Sequence, residues 1–221
     1  MVEEYLTEEE QAEALKQWAR DNWAWIAAGI VIGVVLLLGW QYYTRYKMQR
    51  AETAGQLLEQ YSVAQSADKS KADALLQELT SKYPATPYAD EAHLLAAQHA
   101  VDSSEFDRAA TELRTVMDSA RDLQLRGVAR LRLARVLMQQ QKYDDALQLL
   151  DIDKAGAFIA QTQEIRGDVL YAKGDSSGAR SAYQAALDAS KADPAANVAL
   201  LQLKLDDLGG STAVAGVKST P

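Results

Sequence analysis

The sequence predicts an all-α protein, with a single transmembrane helix followed by a helical repeat array of about four helix pairs and a C-terminal capping helix. Two observations predict it. Residues Trp23 to Trp40, WAWIAAGIVIGVVLLLGW, form 18 consecutive positions without a charged or polar side chain. Downstream, small residues recur with a period of 33 to 37 residues. Composition agrees: Ala, Leu, Gln and Asp are abundant, whereas only two Phe and four Pro occur in 221 residues. Such a chain favours helices packed through small side chains.

Before the apolar run, Thr7-Glu8-Glu9-Glu10 has the form of a capping box, opening a helical segment over residues 1–22. Its acids lie in the first turn and Lys16 and Arg20 near the end, matching the helix dipole. This segment reads either as a surface helix leading to the membrane or as a docking element for a membrane partner.

The apolar run is roughly 27 Å long as a helix, close to the hydrocarbon thickness of a bilayer. No charged residue lies between Asp21 and Arg45. Trp23, Trp25 and Trp40 mark its ends, and Tyr42, Tyr43 and Tyr46 follow as in an interfacial belt. A span over 23–44 is therefore expected in a lipid bilayer. The acidic preceding region and the lack of an A-x-A-like site argue for a retained anchor rather than a cleaved signal. Orientation is not fixed: two bases precede the span and three follow it closely, a slight bias toward a cytoplasmic C-terminal side. Gly29 and Gly33 form a GxxxG pair, a candidate for close approach by another membrane helix.

Beyond Tyr46 no proline or turn cluster intervenes before about Ser66, so the membrane helix is expected to run into the first soluble helix. Ala54, Leu57, Leu58, Tyr61 and Ala64 then follow helical spacing. The repeat domain, 45–208, is marked by Ala72, Ala109, Ala146 and Ala179, each shortly after a turn (ADKSKA, SSEFDRA, QQKYDDA, KGDSSGA). Four residues later stand Leu76, Leu113, Leu150 and Tyr183, and twelve residues earlier Gln60, Ala97, Ala134 and Gly167. This resembles the tetratricopeptide pattern, in which small residues on paired helices face one another. Phe106 and Tyr143 precede their alanines by three, and Pro84 follows Ala72 by twelve, where proline ends a helix. From Pro194, PAANVALLQLKLDDL carries one apolar stripe of Val198, Leu201, Leu205 and Leu208, suited to capping a stack. The tail, 209–221, is expected to be disordered.

No catalytic constellation is visible. His93 and His99 are six apart and share no helix face, and no phosphate loop, G-x-S-x-G or H-E-x-x-H occurs. Cysteine is absent and the net charge is −8, which argues against thiol chemistry and nucleic-acid binding. No cofactor or metal is expected. Arg121, Arg126, Arg130, Arg132 and Arg135 cluster in an otherwise acidic region. They either pair with acids of adjacent helices or form a basic strip for an acidic partner or lipid head groups. Under the tetratricopeptide alignment, the groove positions are Tyr61 and Ala64, Gln98 and Val101, Arg135 and Met138, Asp168 and Tyr171. That mixture suits an extended or partly folded peptide, or equally the inner core of a tight superhelix.

EEEQAEALKQWARDN, the GWQYY end of the anchor, LRLARV and KGDSSGARSAYQAAL together resemble the YfgM family, single-pass ancillary subunits of the bacterial Sec translocon. The resemblance implies an inner-membrane, non-enzymatic adaptor with a cytoplasmic N-terminus and a periplasmic repeat domain. Its implied partners are the SecYEG channel and a PpiD-like periplasmic chaperone, with unfolded secreted or outer-membrane proteins passed onward. The alternative is a membrane-anchored scaffold for another cell-envelope assembly machine.

Overall fold

A computed structural model describes residues 8–84, 86–191 and 197–209. Within them the secondary structure is helical, with no strand. Two compact units, 1–53 and 54–221, are described separately below.

The first unit holds α1 (Glu8–Asp21) and the leading part of α2 (Trp23–Ala67). Thr7, the expected cap of α1, lies outside the described residues. The two helices are separated by Asn22, whose side chain donates to the carbonyl of Trp18 at 2.9 Å. The apolar part of α2 has a mean hydropathy of 2.2 over an 18-residue window, none of it buried. It is long and apolar enough to cross a membrane. As the spacing predicts, α2 continues without a turn to Ala67.

In the second unit α4 (Pro87–Asp102) packs with α5 (Phe106–Ser119), α6 (Leu123–Gln139) with α7 (Tyr143–Leu149), and α8 (Ile159–Lys173) with α9 (Ser176–Ser190), while the end of α2 and α3 (Lys69–Lys82) share a core with α4. α10 (Val198–Asp207) closes the stack against α9. Pro194, the expected start of this helix, lies outside the described residues, as does the tail beyond Gly209. Side-chain caps fix several starts: Asp68 accepts from the amide of Lys71, Asp122 from Gln124 and Asp175 from Gly178. α4 combines Thr86 as its cap with Pro87 in the first turn.

All four marker alanines are buried: Ala72, Ala109, Ala146 and Ala179. So are Leu76, Leu113, Leu150 and Tyr183, four residues on. Of the facing small positions, Ala97, Ala134 and Gly167 are buried. Gln60 is exposed, so the first pair departs from the alignment, and Ala54, Tyr61 and Ala64 are the α2 residues that fill its core. The reason is local. α2 passes to α3 through the extended Asp68 alone, whereas the other pairs use a longer turn.

That turn is repeated. Ser104, Gln141 and Gly174, each five residues before its marker alanine, have φ of +59°, +62° and +93°. In each, the next amide bonds back to a carbonyl five residues earlier: Glu105 to Ala100, Lys142 to Leu137, Asp175 to Leu170. This is the Schellman closure, in which a left-handed residue lets the chain reverse while satisfying the last carbonyls. The third pair has its own departure. α7 stops after seven residues, and two 3-10 turns follow, Ile152–Lys154 and Gly156–Phe158. Asp151 caps the first turn, Gly156 has φ +58°, and the Phe158 ring lies on Gly127 of α6.

A Cβ at Gly167 would lie 2.4 Å from the Tyr183 ring, so Gly167→Ala should lower unfolding stability by about 1–3 kcal/mol. Gln141→Gly relieves a left-handed non-glycine and should raise it by about 0.5–1 kcal/mol. Thermal and denaturant unfolding of the full chain, followed by circular dichroism, measures both; a stabilising Gly167→Ala would contradict the packing described.

Candidate partner-binding site

The predicted groove positions fall into three groups. Gln98 and Arg135, one residue after the small position of α4 and α6, are exposed, as are Val101 and Tyr171, four residues after that of α4 and α8, with Tyr171 at 52%. Met138 is half-buried against the central core. Tyr61 is a correction: its side chain is 1% exposed, within the first core with Ala64. Gln65 Nε2 donates to its hydroxyl at 2.7 Å, and burial pushes the phenol up to about 12. Because the first pair departs from the repeat register, this tyrosine packs inward.

Asp168 is already engaged. Lys204 of α10 donates to its Oδ1 at 2.7 Å and to Glu164 Oε1 at 2.7 Å. The Tyr183 hydroxyl donates to Asp168 Oδ1 at 2.8 Å, and the Lys204 ammonium lies 5.5 Å from the Tyr183 ring centre. With Leu201 buried and Leu205 and Leu208 packed on Ala179, Tyr183 and Ala186, this half-buried cluster fastens the capping helix. Burial acts to lower the Lys204 pKa, but its hydrogen bonds to the two carboxylates outweigh that and hold it above 10.5.

The arginines do not form one strip, a second correction. Arg121 precedes α6. Arg126 and Arg130 share one side of α6 and donate to carbonyls, of Ala120 and of Lys154 (2.5 Å) respectively. Arg132 and Arg135 lie on another side and are exposed. Helical geometry divides them, because residues six apart cannot share a face. Arg121 and Asp90 line a cavity of about 350 Å³ between the α3–α4 and α5–α6 connections, with Pro84, Pro87 and Leu125. Burial raises the Asp90 carboxyl, while His93, Arg121 and Arg126 pull it down.

Two further polar features were not singled out from the sequence. His93 Nδ1 lies 2.6 Å from Glu112 Oε2, with both side chains largely buried between α4 and α5. Arg108 of α5 pairs with Asp73 of α3. Their partners are 19 and 35 residues away, so no local motif could reveal them. Gly29 and Gly33 have nothing within 4 Å of where a Cβ would stand. Among the described residues, no group of three or more His, Asp or Glu is arranged to hold a metal. The exposed groups can offer hydrogen bonds, an aromatic face and positive charge to a peptide.

Residues 16–210 match the tetratricopeptide repeat-like domain family, a match that takes in the apolar helix as well as the repeats. The chain is 33% identical over 207 residues to the ancillary SecYEG translocon subunit of Escherichia coli, covering 94% of this chain and 99% of that one. The chain belongs to the ancillary SecYEG translocon subunit family. Its similarity to the Neisseria gonorrhoeae protein of the same name is 32% over 206 residues, covering 92% and 98% of the two chains. The Aggregatibacter actinomycetemcomitans protein is 29% identical over 203 residues. The resemblance to the YfgM family therefore holds across nearly the whole length of the chain, the membrane-type helix included.

Because the Lys204 pKa is raised on folding, its contribution to stability is whole below 10.5 and is lost as pH rises through the higher folded value. The thermal midpoint should fall above that pH, and less so in Lys204→Met, which itself should cost about 1–3 kcal/mol by leaving two carboxylates unpaired. An identical alkaline fall in both proteins would contradict the clasp.

Proposed function

We propose that this protein is a non-enzymatic, single-pass inner-membrane adaptor of the Sec translocon. Residues 23–44 span the membrane, the N-terminal 22 residues lie in the cytoplasm, and the repeat domain of 45–208 lies in the periplasm. The observation that carries this reading is the near end-to-end similarity to the Escherichia coli ancillary SecYEG translocon subunit, of which 99% is covered. A repeat stack that presents Gln98 and Arg135 at equivalent exposed positions, with Tyr171 exposed at another groove position, supports a peptide-binding role. Its ligand is a segment of a membrane-anchored, PpiD-like chaperone, and newly translocated unfolded proteins are passed onward at that contact. The smooth Gly29–Gly33 surface supports a lateral contact with the channel inside the bilayer.

Tagged protein isolated from mild-detergent membrane extracts should carry both translocon subunits and the chaperone. Arg135→Ala with Tyr171→Ala should leave stability within about 0.5 kcal/mol yet weaken chaperone recovery roughly tenfold. Recovery of neither partner by the unmodified protein sinks the proposal. Orientation has its own readout. A cysteine placed at exposed Ser66, in a chain with no other cysteine, should react with an impermeant maleimide from the periplasmic side. Labelling only after the inner membrane is opened would reverse the topology.

A further inference from the structure

A groove lies beside the first half of α6, where the succession of helix pairs is interrupted. α7 ends after seven residues, and two 3-10 turns follow, Ile152–Lys154 and Gly156–Phe158. The second turn packs on α6, where the Phe158 ring takes the space left by Gly127. Phe158, Ala155 and Ala157 give the groove an apolar lining, together with Leu123, which is 77% exposed. The cavity measures about 320 Å³, a size that holds two or three side chains rather than a large ligand.

Arg126 and Arg130 line the same groove, one helical turn apart. Both are half-buried. Each gives one donor to a carbonyl: Arg126 Nε to that of Ala120, and Arg130 Nη1 to that of Lys154 at 2.5 Å. A guanidinium carries five N–H donors, so most of each fork is left over. Among the described residues neither arginine forms an ion pair, and the nearby acids have other roles. Asp122 caps α6. Asp151 caps the first 3-10 turn and pairs with Lys154 at 3.4 Å. Asp90 is drawn to Arg126 electrostatically but lines the neighbouring cavity. That leaves the exposed Asp153 as the one carboxylate in the lining, against Arg126, Arg130 and Lys154. The groove is therefore positive, in a chain whose net charge is −8.

From two half-buried guanidiniums set beside an aromatic and aliphatic lining, we infer that this groove binds an extended acidic peptide segment of a partner protein. One carboxylate of the peptide lies between Arg126 and Arg130, whose planar forks match its two oxygens. A neighbouring apolar side chain packs on Phe158 and Leu123. Partial burial strengthens the charge pairing relative to open water. The apolar lining separates a peptide from a bare anion, which would need the charge alone. Arg135 is nine residues on from Arg126, so it points the opposite way from α6. The groove is thus distinct from the outward positions Gln98, Arg135 and Tyr171, and it leaves them open to a different ligand.

The test uses the purified full-length chain in a non-ionic detergent. A rhodamine-labelled, amidated peptide, Gly-Ser-Glu-Leu-Glu-Ser-Gly, and its counterpart with Gln for Glu are titrated by fluorescence anisotropy. The acidic peptide should bind at least roughly tenfold more tightly than the neutral one. Arg126→Gln and Arg130→Gln should each weaken its binding roughly tenfold. Leu123→Glu should do the same by setting a like charge in the lining. That exposed position lies in the first turn of α6, where an acid suits the helix dipole and folding is kept. Arg132→Gln, which removes the same charge from another side of the helix, should leave binding unchanged. Thermal midpoints by circular dichroism confirm that the variants fold. Equal binding of the two peptides overturns the inference, as does a loss in Arg132→Gln matching that in Arg130→Gln. Full displacement of the peptide by an equimolar amount of inorganic phosphate also overturns it, since the groove would then be an anion site without a peptide. No translocon or chaperone is present in this experiment, so its failure leaves the adaptor reading untouched.

Discussion

The repeat domain depends on how closely the two helices of a pair can approach. Ala97, Ala109, Ala134, Ala146, Gly167 and Ala179 are all buried, and each keeps its helix surface low where a neighbour arrives. At Gly167 the allowance is spent entirely on the Tyr183 ring, which occupies the space of a missing Cβ. Larger residues four positions later, Leu113, Leu150 and Tyr183, then reach into the cores between pairs. Close packing makes such an arrangement intolerant of added volume. Small residues at the contact and large ones one turn on are therefore a single constraint, and the exposure of Gln98, Arg135 and Tyr171 follows from it, because those positions are what remains facing outward.

The chain reverses between helices by means of the same geometry used three times. The left-handed residue falls five positions before the marker alanine whether it is Ser104, Gln141 or Gly174. Only the last has the side chain best suited to it. The other two are held by the flanking helices and their backbone closure, at a conformational cost that tertiary packing offsets. Where the turn differs, the architecture differs too. The short passage through Asp68 changes the register of the first pair and turns Tyr61 into the core. The last pair is closed by α10 through the Lys204 clasp.

Much of this was legible in the sequence because it is periodic. The apolar run, its continuation into the first soluble helix, the marker alanines and the apolar stripe of the last helix each carry a spacing signal that survives without tertiary information. Three kinds of feature were not legible. The pairs His93–Glu112, Arg108–Asp73 and Lys204–Asp168 join residues 19, 35 and 36 positions apart, and nothing local distinguishes their members from solvated charges. Tyr61 was placed outward because one alignment was extended to a pair whose turn is different. The arginine cluster looked continuous as text, but helical rotation distributes it, and Arg126 and Arg130 are drawn to the carbonyls of Ala120 and Lys154.

The adaptor reading joins a membrane-type helix, a repeat stack continuous in sequence with it, and family membership along nearly the whole chain. Its most direct test is photocrosslinking in intact cells, with a photoreactive residue placed in turn at Gln98, Arg135 and Tyr171. The account predicts adducts to a membrane-anchored periplasmic chaperone from these positions, and none from the buried Ala109. Adducts confined to proteins unrelated to the translocon or its chaperones would contradict it.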